Sequence, residues 1–268
     1  VAEVGRIAVI GAGAFAYEIA YAGVMAGYSV TLHDMGEGPA DAGTGAVRER
    51  LRRCEENGLI TREESRVMMS RLTPARDLRS AASGADLVIE AILEGLGLKK
   101  KLFAFLDRCC PSHSILAGSA SSVKIPALAE ASLRPGKVVG MHFLDPPETR
   151  LVEVVLGDRS SDEAVAAACA VATGMGKVPV VVPRDSTGLI FNRVNEATKL
   201  MEERVVEDPE IIDAAVADGR SGVALFPLAK GIGCPTLAER CNGLSRTSGI
   251  EAFRPTETMK GLHVDTRV

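Results

Sequence analysis

Apolar residues follow two alternating rhythms along most of the chain. Short runs rich in Val, Ile and Leu, at 6–10, 28–32, 86–92, 114–117, 138–141, 151–155 and 178–182, have the length and branching of strands buried on both faces. Between them, residues 17–26, 96–108 and 160–171 carry apolar side chains at helical spacing. Strand alternating with helix predicts an α/β fold with helices over a mainly parallel, doubly wound sheet. From Pro39 to Met69 the pattern becomes long, charged and helical, with Asn57-Gly58 marking a helix end, so a helical hairpin is expected as an insertion at about 39–70. After Val182 the strand rhythm stops. Asp185-Ser186-Thr187-Gly188 is expected to cap a helix beginning near Leu189, and the remaining helical segments are interrupted at Pro209, Gly219, Pro227, Pro235 and Gly243. The chain therefore divides into a nucleotide-type domain, 1–184, and a smaller all-helical domain, 185–268.

Composition narrows the partners. Apolar residues make up 46% of the 268 positions but aromatics only 4%, with no Trp, so the core is Ala, Val, Leu and Ile. A formal charge of −4 gives no general attraction to nucleic acid or an anionic membrane, and neither is expected as a partner. No run of eighteen apolar residues and no basic-then-apolar leader is present, although the chain opens on Val1 rather than Met. The six cysteines include the adjacent pair Cys109-Cys110 but no C-x-x-C, which matches neither a zinc site nor a secreted disulfide framework. Reduced thiols, no metal and a cytoplasmic location are the expectation.

Two stretches carry chemistry. The first strand runs into Gly11-Ala12-Gly13-Ala14-Phe15-Ala16 and then a helix, the context that gives G-x-G-x-x-G/A its meaning. Gly11 permits the tight turn, Gly13 lets a pyrophosphate approach the backbone, and Ala16 keeps helix and strand close, as in a Rossmann-type fold. The next strand ends in His33-Asp34, about 20 residues further on, where a carboxylate holds the ribose hydroxyls and repels a 2′-phosphate. With no Lys or Arg between it and Arg48, Asp34 favours NAD over NADP. The second stretch, 138–155, delivers His142 at a strand end, turns at Pro146-Pro147, and returns with Glu153 as the sole charge in Leu151–Val155. A carboxylate beside an imidazole fixes its tautomer and favours its charged form, which suits a general base. A core histidine with a backbone partner is equally compatible with these residues alone. Ser121 follows another strand end, where open α/β sheets bind ligands, and is also an ordinary loop residue. Arg48, Arg50, Arg52 and Arg53 suit substrate phosphates or a solvated face balanced by Glu49, Glu55 and Glu56.

Taken in order, six motifs resemble the L-3-hydroxyacyl-CoA dehydrogenase family over most of the chain. They are Gly11-Ala12-Gly13 with Ile19-Ala20; Asp86-Leu-Val-Ile-Glu-Ala-Ile92 with Glu94; Ile115-Leu-Ala117 before Ser121-Ser122; Gly140-Met-His142-Phe143; Leu151-Val-Glu153-Val154; and Gly188-Leu-Ile-Phe-Asn192-Arg193. The resemblance implies NAD-dependent oxidation of a 3-hydroxyacyl thioester, or the reverse reduction. In it His142 is the base, Glu153 orients the imidazole, and Ser121 and Asn192 position the hydroxyl or carbonyl. Glu94 and Lys99 match positions that touch the cofactor, and a homodimer through the helical domain is implied. The departures from the family pattern are Ala16 at the third glycine, Glu18 in place of a small residue, Ser119-Ala120, Leu144-Asp145-Pro146, and Val223–Pro227. They leave open an acyl-carrier-protein-bound or free hydroxy acid as substrate, and a non-catalytic member that binds nucleotide or acyl-CoA. Glu18 in particular places a carboxylate in the first turns of the helix that should receive the pyrophosphate.

Overall fold

The computed structural model describes residues 3–11, 13–33, 39–92, 95–119, 123–143, 151–185 and 189. Among them the strands are β1 Arg6–Ile10, β2 Ser29–His33, β3 Leu72–Ala75, β4 Leu87–Glu90, β5 Ile115–Gly118, β6 Val138–Phe143, β7 Leu151–Leu156 and β8 Val178–Val182. They form one sheet in the order β3-β2-β1-β4-β5-β6-β7-β8. Every neighbouring pair is parallel except β6 and β7. The mainly parallel, doubly wound sheet expected from the strand-helix alternation is therefore present, and the 138–155 reversal is its one antiparallel step.

The helices are α1 Ala14–Met25, α2 Pro39–Glu56, α3 Arg62–Ser70, α4 Leu78–Ala82, α5 Leu96–Cys109, α6 Ile125–Ala129 and α7 Asp162–Gly174. Alternation along each strand splits the side chains between two buried faces. On one, Ile19, Ala20 and Val24 of α1 and Ala168 and Val171 of α7 join Val9, Val30, Ala117, Met141 and Val154 in a single core. On the other, α4, α5 and α6 cover the sheet, and Phe103 and Leu128 close over Gly118. The insertion at 39–70 is the pair α2 and α3, and α3 starts with a reciprocal cap: Glu64 N–H donates to Thr61 Oγ1 at 3.2 Å, and Thr61 N–H to Glu64 Oε2 at 2.7 Å.

Three described elements lie outside the sequence expectation. β3, Leu-Thr-Pro-Ala, pairs only with β2 at the sheet edge, where Pro74 sacrifices no second ladder. α4 and α6 are five residues each, too short for a helical period to register. Asp185, expected as the cap of the segment after it, accepts the Ile125 N–H that opens α6. The chain divides into two units, Val1–Thr187 and Gly188–Val268. The helical pattern expected over 185–268 lies, past Asp185 and Leu189, outside the described residues. No described helix is long and apolar enough to cross a membrane.

Opposite the carboxyl ends of the strands, Asp86 gathers three of them. Its carboxylate accepts Gly5 N–H at 3.0 Å, Arg6 N–H at 2.8 Å and the Arg6 guanidinium at 3.1 Å, and it meets His113 Nε2 at 3.0 Å. Burial alone raises its pKa, but the donors from Arg6, His113 and Gly5 outweigh burial and hold it well below the usual carboxylate range. A carboxylate depressed in the fold stabilises it above its unfolded value, near pH 4, and loses that contribution as pH falls through the lower folded value. Asp86→Asn is expected to cost about 1–3 kcal/mol at pH 7. In urea titrations the gap from the parent should narrow as pH drops below about 4.

Candidate active site

The strand order turns about β1, with β2 on one side and β4 on the other, and ligands of open α/β sheets lie in the crevice at such a switch. Three backbone bonds shape it here. Gly11 N–H donates to His33 O at 2.9 Å, Ala91 N–H to Ile10 O at 2.7 Å, and Ser119 N–H to Glu90 O at 3.1 Å. The ends of β1, β2, β4 and β5 are thereby tied in a row. His33 is itself anchored, its Nδ1 lying 3.0 Å from Ala75 O, and Asp34 follows it.

The two described glycines of the loop do different things. A Cβ on Gly11 would sit 2.3 Å from the carbonyl oxygen of Ala91, so this position lets the ends of β1 and β4 meet. Among the described residues the Gly13 Cβ would meet nothing closer than Phe15 N at 4.0 Å. Gly13 is the N-cap of α1 and leaves the helix without a side-chain cap, and no acidic residue occupies the first turn. The start of a twelve-residue helix with no side-chain cap and no acidic residue in its first turn suits the diphosphate of a dinucleotide. Ala16 is fully buried against the sheet, so its methyl belongs to the core. Glu18 lies in the early turns of the helix, as expected. Because α1 starts at Ala14, this carboxylate falls in the second turn, and its Oε2 lies 3.8 Å from Arg50 Nε on α2.

The neighbouring arginines of α2 also find acids. Arg52 bonds Glu49 and Glu56, and Arg53 bonds Glu49, on an exposed face, which favours the solvated-face reading for these two.

Beyond the crevice, β6 and β7 bring together the pair that organises the second stretch. Their register sets His142 opposite Glu153. His142 Nδ1 and Glu153 Oε2 are 2.7 Å apart, with the imidazole 15% and the carboxylate 0% exposed. Since the carboxylate accepts, Nδ1 carries the proton, and in the neutral ring the lone pair is on Nε2. Val139, Met141 and Phe143 face the α1–α7 core, so His142 and Glu153 share the opposite, α6-covered face. One contact couples this strand to the dinucleotide loop. Phe143, next to His142, meets Phe15 of the first turn of α1 edge to face, with centroids 6.4 Å apart.

Lys99 is also placed, though not at the surface. Its Nζ donates to Glu90 Oε1 at 2.5 Å and to Ile92 O at 3.3 Å, and both side chains are buried. Glu90 was part of the 86–92 stretch but received no role from the sequence. The available signal was a carboxylate ending an otherwise apolar strand, nine residues before a lysine on the following helix. Asp34, Glu94, Ser121, Asp145 and Asn192 lie outside the described residues.

Comparison with known proteins matches this arrangement. Residues 6–186 fit the family model for the NAD-binding domain of 3-hydroxyacyl-CoA dehydrogenase. The chain belongs to the 3-hydroxyacyl-CoA dehydrogenase family. It is an NAD-dependent oxidoreductase of that family. It is 36% identical over 265 residues to a probable 3-hydroxybutyryl-CoA dehydrogenase of Bacillus subtilis, covering 96% of this chain and 91% of that protein. To the 3-hydroxyadipyl-CoA dehydrogenase of Escherichia coli K12 it is 37% identical over 232 residues, covering 84% of this chain and 48% of that one. The crystal structure of a 3-hydroxybutyryl-CoA dehydrogenase from Escherichia coli K12 superposes with a TM-score of 0.71 at 33% identity, covering 97% of this chain and 56% of that one. The chain thus spans about half the length of these last two relatives.

The two glycines separate stability from cofactor binding. Gly13→Val should change folding stability by about 1 kcal/mol or less, as an N-cap replacement. It should weaken NADH binding at least about tenfold by filling the approach to the helix. Gly11→Ala should lower stability by about 1–3 kcal/mol, as overpacking does. Fluorescence titration of NADH beside urea unfolding distinguishes the two effects.

Proposed function

We propose that the protein oxidises the 3-hydroxyl of a 3-hydroxyacyl thioester, or reduces the 3-oxo partner, with His142 as general base or acid and Glu153 as the group that orients it. The observation carrying this reading is the 2.7 Å bond between His142 Nδ1 and the fully buried Glu153. It fixes the tautomer that leaves Nε2 free to accept a hydroxyl proton. NAD, when bound, supplies the hydride acceptor. As hydride leaves C3, the hydroxyl proton passes to Nε2, and the imidazolium formed is charge-balanced by Glu153. In the reverse direction the same Nε2–H donates to the carbonyl oxygen. Ser121 and Asn192 are proposed as the further donors to that oxygen, and Asp34 and Glu94 as cofactor contacts; Lys99, expected as a third contact, is instead buried at 1% exposure with its ammonium given to Glu90 and Ile92 O.

The position of β6 supports the assignment. It lies three strand spacings, about 14 Å, from β1, so a base there serves the far end of a dinucleotide that begins at the glycine loop. The contact of Phe143 with Phe15 ties the two ends of that span. The relatives named for 3-hydroxybutyryl-CoA and 3-hydroxyadipyl-CoA support a CoA thioester as the carrier. A homodimer through residues 185–268 and a cytoplasmic location belong to the same proposal.

His142→Gln should lower kcat for NADH-dependent reduction of 3-oxobutyryl-CoA by roughly 10²–10⁴-fold, the usual worth of a general base, with the NADH dissociation constant within about twofold of the parent. Glu153→Gln should also lower kcat. Unchanged turnover in His142→Gln refutes the role. Greater kcat/KM for a free 3-oxo acid than for the CoA thioester refutes the carrier.

A further inference from the structure

The buried ion pair at the end of β4 reaches one short backbone segment through its hydrogen bonds. Glu90 Oε1 accepts the Ile92 N–H at 2.8 Å and the Lys99 ammonium at 2.5 Å, while that ammonium also donates to Ile92 O at 3.3 Å. Both hydrogen-bonding groups of the Ile92 backbone are therefore held by this pair. The segment so held forms the wall of the dinucleotide crevice. In register, Glu90 stands between Ile10, next to the glycine loop, and Gly118, next to the serine loop. Ala91 presses its carbonyl into the space a Gly11 side chain would occupy.

The energetics are unfavourable for a purely structural pair. Both charges are taken out of water, with Lys99 1% and Glu90 0% exposed, and a buried pair of this kind is often no more stabilising than apolar residues of similar volume. What it supplies is a fixed backbone path with directional hydrogen bonds at a point where an apolar pair would leave the Ile92 groups unsatisfied.

We infer that Glu90 is a positioning residue for the nicotinamide cofactor: through Lys99 and the Ile92 backbone it sets the wall between the glycine loop and the serine loop, and so governs NAD(H) affinity separately from acyl recognition. The inference rests on the dehydrogenase reading above for its acyl arm only, since NADH binding is measured without substrate.

The experiment compares the parent, Glu90→Gln, and Glu90→Gln combined with Lys99→Met, in which neither charge remains. NADH dissociation constants are read by fluorescence, KM for 3-oxobutyryl-CoA at saturating NADH, and unfolding temperature without ligand. Glu90→Gln leaves a buried ammonium uncompensated and should lose stability. The uncharged double variant should recover it. Both should bind NADH at least about tenfold more weakly, as expected when the charged contacts holding the wall are removed. The KM for the acyl thioester should stay within about twofold, and that split separates positioning from general loosening. NADH binding equal to the parent's in the folded double variant overturns the inference, as does a parallel rise of both constants. A parent that binds NADH but does not turn over 3-oxobutyryl-CoA overturns the substrate reading while leaving the NADH comparison decisive.

Discussion

The site depends on a register. β6 and β7 are the only antiparallel neighbours among the described strands, and their pairing sets His142 directly across from Glu153 on one face. A slip of one residue would send Glu153 to the α7 side, into the apolar core, and turn Val152 and Val154 out of it. A carboxylate there would be buried without the imidazole, at a cost of several kcal/mol. The register that orients the imidazole is therefore also the one that makes Glu153 tolerable inside the sheet, so folding and the proposed chemistry select the same pairing. The alternating neighbours reinforce it, since Val139, Met141 and Phe143 enter the opposite core together.

Much of this was legible in the residues. The long apolar runs gave seven of the eight described strands, because strands buried on both faces leave an unbroken Val/Ile signal. Leu72–Ala75 left no such signal, since an edge strand needs only one apolar side and admits Pro74. Glu153 was recognisable as a lone charge in an apolar run, but whether it met solvent or His142 depended on register, which periodicity does not contain. The exact turn of Glu18 was open for a related reason. The loop motif locates the helix start only to within a few residues, and three residues decide whether a carboxylate lies in the first turn or beyond it. The contact of Phe15 with Phe143 could not be read at all, since it joins segments far apart in sequence.

Two buried carboxylates, Glu90 and Glu153, lie on the same side of the sheet, and the chain gives each a different cation. Glu90 has Lys99, whose ammonium donates both to the carboxylate and to Ile92 O. Glu153 has His142, whose second ring nitrogen can take up and return a proton. A pair whose hydrogen bonds all go to one backbone unit suits a wall that must hold one path through a catalytic cycle. A pair with one titratable member suits a group that must take a proton and return it, because the carboxylate is already in place when the positive charge forms and nothing need reorganise. Exchanging the cations would serve neither task. A histidine at position 99 would bring to the wall a cation that titrates near neutrality, and a lysine at 142 would offer the hydroxyl a permanently protonated partner. The choice of base beside each acid thus follows from whether that place in the sheet has to stay still or to cycle.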